Sequence, residues 1–193
     1  DDDPEEPPAP QPPAPADRWT VEDFVRDAGD NFYHWRLRQI LHYHYGTGNV
    51  GMEYHSERWT HPRFPTFWST TLRIRTADHE ARAARTRSIH YASSERSTQE
   101  AGIADVARRA LYYYRDRFWA EIQEGPDRWY PRRRSGETAC TIAPIGDIDD
   151  PRLAATVALV ATLNTDLEAA TDEIATPREQ LRGTQQELEQ LDQ

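Results

Sequence analysis

The sequence predicts an α+β domain, with helices covering one face of a three-stranded antiparallel sheet and a helical, coiled-coil-like tail behind it. Three observations lead there. The stretch TFWSTTLRIRT alternates apolar and polar residues with the period of a strand. Between Ile103 and Phe118, apolar residues recur every three and four positions, as on a helix. Leu153, Val160, Leu167, Ile174, Leu181 and Leu188 recur every seven residues.

Residues 1–17, DDDPEEPPAPQPPAPAD, hold six acids and no base. Such a segment cannot bury enough apolar surface to offset chain entropy, so it reads as a disordered leader with polyproline II character. A spacer role suits it better than docking of Pro12, Pro13 and Pro15 on an SH3-like partner. The domain is expected over 18–124. Thr20 with Asp23 resembles a capping pair, and Val21, Phe24 and Val25 share a helical face, so a short helix is expected to run to Gly29. Asp30 then caps a second helix. Its stripe is Tyr33, Leu37, Ile40, Leu41 and His44, widened by Phe32 and Trp35, and it stops at Gly46.

Three strands follow. The first runs from about Glu53 to Trp59. After the turn THPRFP, the second places Trp68, Thr70, Leu72 and Ile74 on one face. The third, TRSIHYA, turns Ile89 and Tyr91 inward and His90 outward. Ser97 and Glu100 spell a capping box for the strongest helix. Ile103, Val106, Ala107, Ala110, Leu111, Tyr114 and Phe118 form its apolar stripe, with Arg108, Arg109 and Arg115 outside it. Tyr112 and Tyr113 should reach outward or toward the preceding helix. Gly125 and Pro126 end the element. Residues 125–150 read as a linker with one short strand at Thr138–Pro144. Residues 151–193 form the tail, either two helices or one kinked at Pro177. Its second heptad column is poorer: Val157, Asn164, Thr171, Arg178 and Gln185, which leaves self-association and a helix that folds back on the domain or frays equally open.

Composition narrows the chemistry. The net charge is −10, concentrated at the two ends, and does not favour nonspecific attraction to nucleic acid or anionic lipid. There is no lysine; all 23 basic residues are arginine. Schiff-base catalysis, a Walker P-loop and a protein kinase each need a lysine and are excluded. The single cysteine, Cys140, rules out an internal disulfide and suits a reducing, cytoplasmic or nuclear setting. No apolar run approaches a membrane span, and no membrane partner is expected.

Two motifs invite stronger claims. Gly46-x-Gly48-x-x-Gly51 has the spacing of a phosphate loop, yet a dinucleotide site needs a strand before it and a helix after it, the reverse of the order here. The histidines at 42, 44, 55, 61 and 90 show no metal-ligand spacing; Tyr43, His44, Tyr45 and His55 read better as an aromatic rim on the core. No G-x-S-x-G elbow occurs and no carboxylate pair stands out. No cofactor, metal or catalytic residue is therefore assigned.

Helix, three antiparallel strands and helix over residues 31–118 resemble the double-stranded RNA-binding domain. The likeness is carried by EYHSERWTHPRFPTFWSTTLRIRT and by RSIHYASSERSTQEAGIADVARRAL. It implies phosphate contacts at the start of the last helix. Matching on Ala110-Leu111 puts Gln99, Glu100 and Ile103 at those positions, and none is basic. Arg96, Arg108 and Arg109, with Arg132, Arg133 and Arg134 and a loop histidine, His61, are the residues left to touch RNA. Domains of this shape without their phosphate contacts are similar to ones used for protein interaction, often dimerisation. The whole chain is also similar to a group of uncharacterised plant proteins with a tyrosine-rich domain and a helical tail. The leading expectation is a non-catalytic protein-interaction module whose partner surface is either the helical tail, self-associating through Leu153, Val157, Val160, Leu167, Ile174, Leu181 and Leu188, or the open sheet face at Arg73, Arg75 and His90. Weak binding of double-stranded RNA is the alternative, and a structural protein of a mobile element a third.

Overall fold

The computed structural model describes residues 19–26, 28–78, 83–92, 95–123, 126–135, 137, 140–142 and 145–191, with backbone only at 78, 83–84, 126, 145, 172, 174–182 and 185–191. The acidic leader and most of the expected strand at 138–144 lie outside the described residues. The elements are β1 (Thr20–Arg26), α1 (Phe32–Tyr45), β2 (Val50–His61), β3 (Phe64–Asp78), β4 (Ala83–Tyr91), α2 (Gln99–Arg117), α3 (Trp119–Ile122) and α4 (Pro151–Leu191). The strands form one antiparallel sheet in the order β1-β2-β3-β4.

The sheet has four strands because Thr20–Arg26, expected as a helix, is a strand. Seven residues are too few for a self-supporting helix, and β-branched Thr20, Val21 and Val25 suit an extended chain. The free edge of β2 supplies the missing hydrogen bonds in an unbroken register from Thr20 opposite Thr60 to Arg26 opposite Tyr54. Phe24 then rests 5.2 Å from the Trp68 ring, with the Arg58 guanidinium 5.6 Å from its own.

The cap of α1 is Asn31 rather than Asp30: its side chain accepts from the Tyr33 and His34 amides. Leu37, Ile40 and Leu41 enter the core, whereas Phe32 and Trp35 stay exposed and do not widen the stripe. Gly46 ends the helix at φ +87°, where a side chain would be strained; an added Cβ would also stand 2.9 Å from Asn49 Nδ2, which donates to the Tyr45 carbonyl.

Tyr54, Ser56, Thr70, Leu72, Ile74 and Thr76 form the buried face of β2 and β3. On β4 the parity is opposite to expectation. Leu72 pairs with His90 and Ile74 with Ser88, so these two turn toward the helices, and a bulge follows between Ile74 and Arg75. Ile89 and Tyr91 lie exposed on the open face. His90 therefore does not join Arg73 and Arg75 there. Its Nε2 lies 2.9 Å from Ser88 Oγ, which lies 2.8 Å from Tyr114 Oη.

Thr98, not Ser97, caps α2, accepting from the Ala101 amide at 3.1 Å. Gly102 lets the helix approach the sheet: a Cβ there would fall 2.3 Å from Thr70 Oγ1. The apolar stripe of α2 is buried from Ile103 to Phe118 as expected. So are Arg108, Arg115 and Tyr112, which the stripe alone would leave outside. The reason is a third layer. The segment after α3 crosses the outer side of α2, where the Arg133 amide donates to the Tyr112 carbonyl at 3.1 Å. α4 closes over the same side, and the Tyr112 hydroxyl donates to Asn164 Oδ1 at 3.0 Å. α2 ends at Arg117, before Gly125, and α4 runs through Pro177 as one helix rather than two.

Candidate functional site

Most of the arginines singled out for RNA are engaged within the chain. Asp105 is buried and takes both Arg96, at 3.2 Å, and Arg108, at 3.1 Å. Arg108 also lies 5.8 Å from the Tyr112 ring centre. Arg132 pairs with Asp116 at 3.3 Å and stacks on Trp119 at 3.9 Å. Arg133 is buried, with its Nη2 donating to Glu168 at 2.5 Å and to Cys140 Sγ at 3.6 Å. Burial and the adjacent Glu168 raise the Cys140 thiol above its ordinary range. Such a thiol is a poor nucleophile. Arg115, which sequence reasoning left outside, is also an internal cation: it pairs with Asp127 at 3.4 Å and lies over Tyr130 at 4.5 Å. Arg36 reaches the same carboxylate at 2.7 Å.

His61 is not at a loop tip. It ends β2, is buried, and its ring lies 4.9 Å from Trp19 and 4.8 Å from Phe64. Its Nδ1 accepts from the Arg63 amide at 3.1 Å. His44 stacks on Phe118 with ring centres 3.6 Å apart, and Tyr45 meets the same ring edge-on. Tyr43 is exposed, and His55 lies beside Glu53 at 3.7 Å. Among the described residues no group of three or more His, Cys, Asp or Glu side chains gathers as a metal site.

The tail divides its residues differently from the heptad expectation. Val157, Asn164 and Thr171, one of the two columns, are buried, so Val157 is not on a free seam. Leu153 and Leu167 are exposed, Val160 is half-buried, and the side chains of Ile174, Leu181 and Leu188 lie outside the described residues. Two leucines that the heptad misses, Leu159 and Leu163, sit four apart and four before Leu167, which aligns all three along one line of the helix. With Leu153 they are 39 to 58% exposed. The docked face meanwhile carries polar groups: Asn164 on Tyr112, and Glu168 on Arg133. Contrary to expectation, Pro151–Thr171 is long and apolar enough to cross a membrane by length and composition, with a mean hydropathy of 1.2.

No known protein family, no curated protein and no solved structure matches this chain.

Proposed function

We propose that this chain is a non-catalytic interaction module that pairs with a second copy of itself through the leucine face of α4. One observation carries the reading: α4 docks a side that holds Asn164, Glu168 and Thr171 beside a single buried valine, Val157, and turns Leu159, Leu163 and Leu167 to solvent. A helix that only covered its own domain would do the reverse. Burying the exposed half of each leucine contributes about 1 kcal/mol, or roughly 6 kcal/mol for six leucines in two copies. Association itself costs on the order of 4–15 kcal/mol, so the dimer is weak and concentration-dependent. Crossing a bilayer with the same segment would take Asn164, Asp166 and Glu168 toward hydrocarbon, where an aspartate costs up to about 2.5–3.5 kcal/mol at mid-span. Pairing in water avoids that cost. Duplex RNA binding has less support, since only Arg109 and Arg134 of its six arginines lack an internal ion pair among the described residues.

Sedimentation equilibrium of the full chain, from about 10 µM to about 1 mM, tests the proposal. The average mass should climb from the 22.3 kDa of one chain toward twice that, and Leu163→Glu should keep it at one chain. A single-chain mass throughout the series overturns it. Binding of the single chain to zwitterionic vesicles would then assign the face to lipid.

A further inference from the structure

We propose that the cleft between β4, α2 and the segment after α3 binds a small phosphomonoester with an apolar or aromatic body. The cleft measures about 410 Å3, toward the small end of ligand sites. Three guanidinium groups line it: Arg109 from α2, and Arg133 and Arg134 from the connecting segment. Its lining includes a single carboxylate, Glu137, which makes no ion pair with any of the three among the described residues.

Charge pairing around the cleft leaves two cations over. Asp105 is shared by Arg96 and Arg108, and Glu168 is taken by Arg133. Arg109 and Arg134 make no direct side-chain hydrogen bond or ion pair among the described residues, although Asp105 and Glu168 attract Arg109 from a distance. Arg109 is half-buried, and burial together with the neighbouring Arg133 lowers its pKa, outweighing the pull of Asp105 and Glu168. Holding an unmatched guanidinium beside another, partly out of water, is unfavourable unless a counter-anion completes the site. Two unmatched cations suit a dianion better than a monocarboxylate, and the planar fork of arginine suits the oxygens of a phosphate. The rest of the lining is neutral. Tyr113 offers aromatic surface for the body of the ligand, beside the edge of β4 at Ser88 and His90. His90, 5.2 Å from the Tyr113 ring, stays uncharged near neutral pH. A polynucleotide would have to approach a chain of net charge −10 to reach this one cleft.

Calorimetric titration of the full chain at low salt tests the site, with phenyl phosphate as ligand and inorganic phosphate as the body-less control. Phenyl phosphate should bind saturably at one site per chain, and more tightly than inorganic phosphate. Arg109→Met should weaken it by about tenfold or more, as expected for lost hydrogen bonds to a charged group. Arg134→Met, at an exposed residue whose loss leaves the fold intact, should weaken it as well. Arg38→Met, on α1, should leave it unchanged. Absence of saturable binding, equal weakening by all three variants, or tighter binding of inorganic phosphate overturns the proposal. So does displacement of phenyl phosphate by duplex RNA at equal phosphate concentration.

Discussion

Substituting Gly102 by alanine sets two known effects against each other. In an exposed helix interior, glycine to alanine stabilises by about 1 kcal/mol. At position 102 the new methyl would stand 2.3 Å from Thr70 Oγ1 and 3.1 Å from Thr70 Cβ. Neither atom is the end of a flexible chain. Thr70 is buried in the middle of β3, and its hydroxyl lies 3.2 Å from that of Ser56. Relieving the contact means lifting α2 from the sheet or rotating Thr70 out of its bond, and overpacking of this kind costs roughly 1–3 kcal/mol. The net result should be destabilisation by about 1 kcal/mol. Urea unfolding followed by tryptophan fluorescence reads it directly. Thr70→Ala in the same chain should recover part of the loss, giving a coupling of about 1 kcal/mol in a double-mutant cycle. A Gly102→Ala chain more stable than the parent would mean that α2 does not lie against β3 at this point, and the layer order would fall with it.

Three further outcomes are expected. Asp127→Ala removes the counter-ion of buried Arg115 and of Arg36 and should lower stability by about 3 kcal/mol, measured by urea midpoint. Burial, aided by Arg109, holds the His90 imidazole down to about 4, against 6.5 for a free histidine. The unfolded chain therefore takes up this proton first as pH falls, and stability present above 6.5 is lost progressively toward 4. From about pH 7 to about pH 5 the loss from this group is on the order of 2 kcal/mol. Unfolding curves of His90→Gln should show a correspondingly shallower pH dependence, and parallel curves would contradict the placement. Tyr112→Phe leaves Asn164 Oδ1 without its donor and should cost about 1–2 kcal/mol, with faster amide exchange in α4.

Local periodicity was enough to place most elements. The alternation at Trp68–Ile74 and the stripe from Ile103 to Phe118 each report a burial pattern that neighbouring residues dictate, and both are realised. Where sequence reasoning failed, the deciding partner was distant. Thr20–Arg26 is a strand because β2 has a free edge, which no seven-residue window contains. Ile89 and Tyr91 are the apolar members of β4, but register with β3 puts Ser88 and His90 on the inner face instead. Arg108 and Arg115 read as solvated because the third layer that buries them begins more than ten residues later. The heptad in α4 was visible, and so was its polar column. That Asn164 and Glu168 find partners in Tyr112 and Arg133, leaving leucines outside, follows only from tertiary contact. The arginine-lined cleft, too, draws on β4, α2 and the connector, whose residues lie 18 or more apart and share no motif.

The two-sided character of α4 is tested most directly by thiol labelling of single-cysteine chains carrying Cys140→Ser. With Leu163→Cys, labelling should be as fast as for an unhindered thiol in dilute protein and should slow as the concentration rises and copies pair. With Asn164→Cys, it should be slow at every concentration, because that side lies on the domain. Rapid labelling at 164, or protection at 163 that persists on dilution, would show that the helix presents the opposite face.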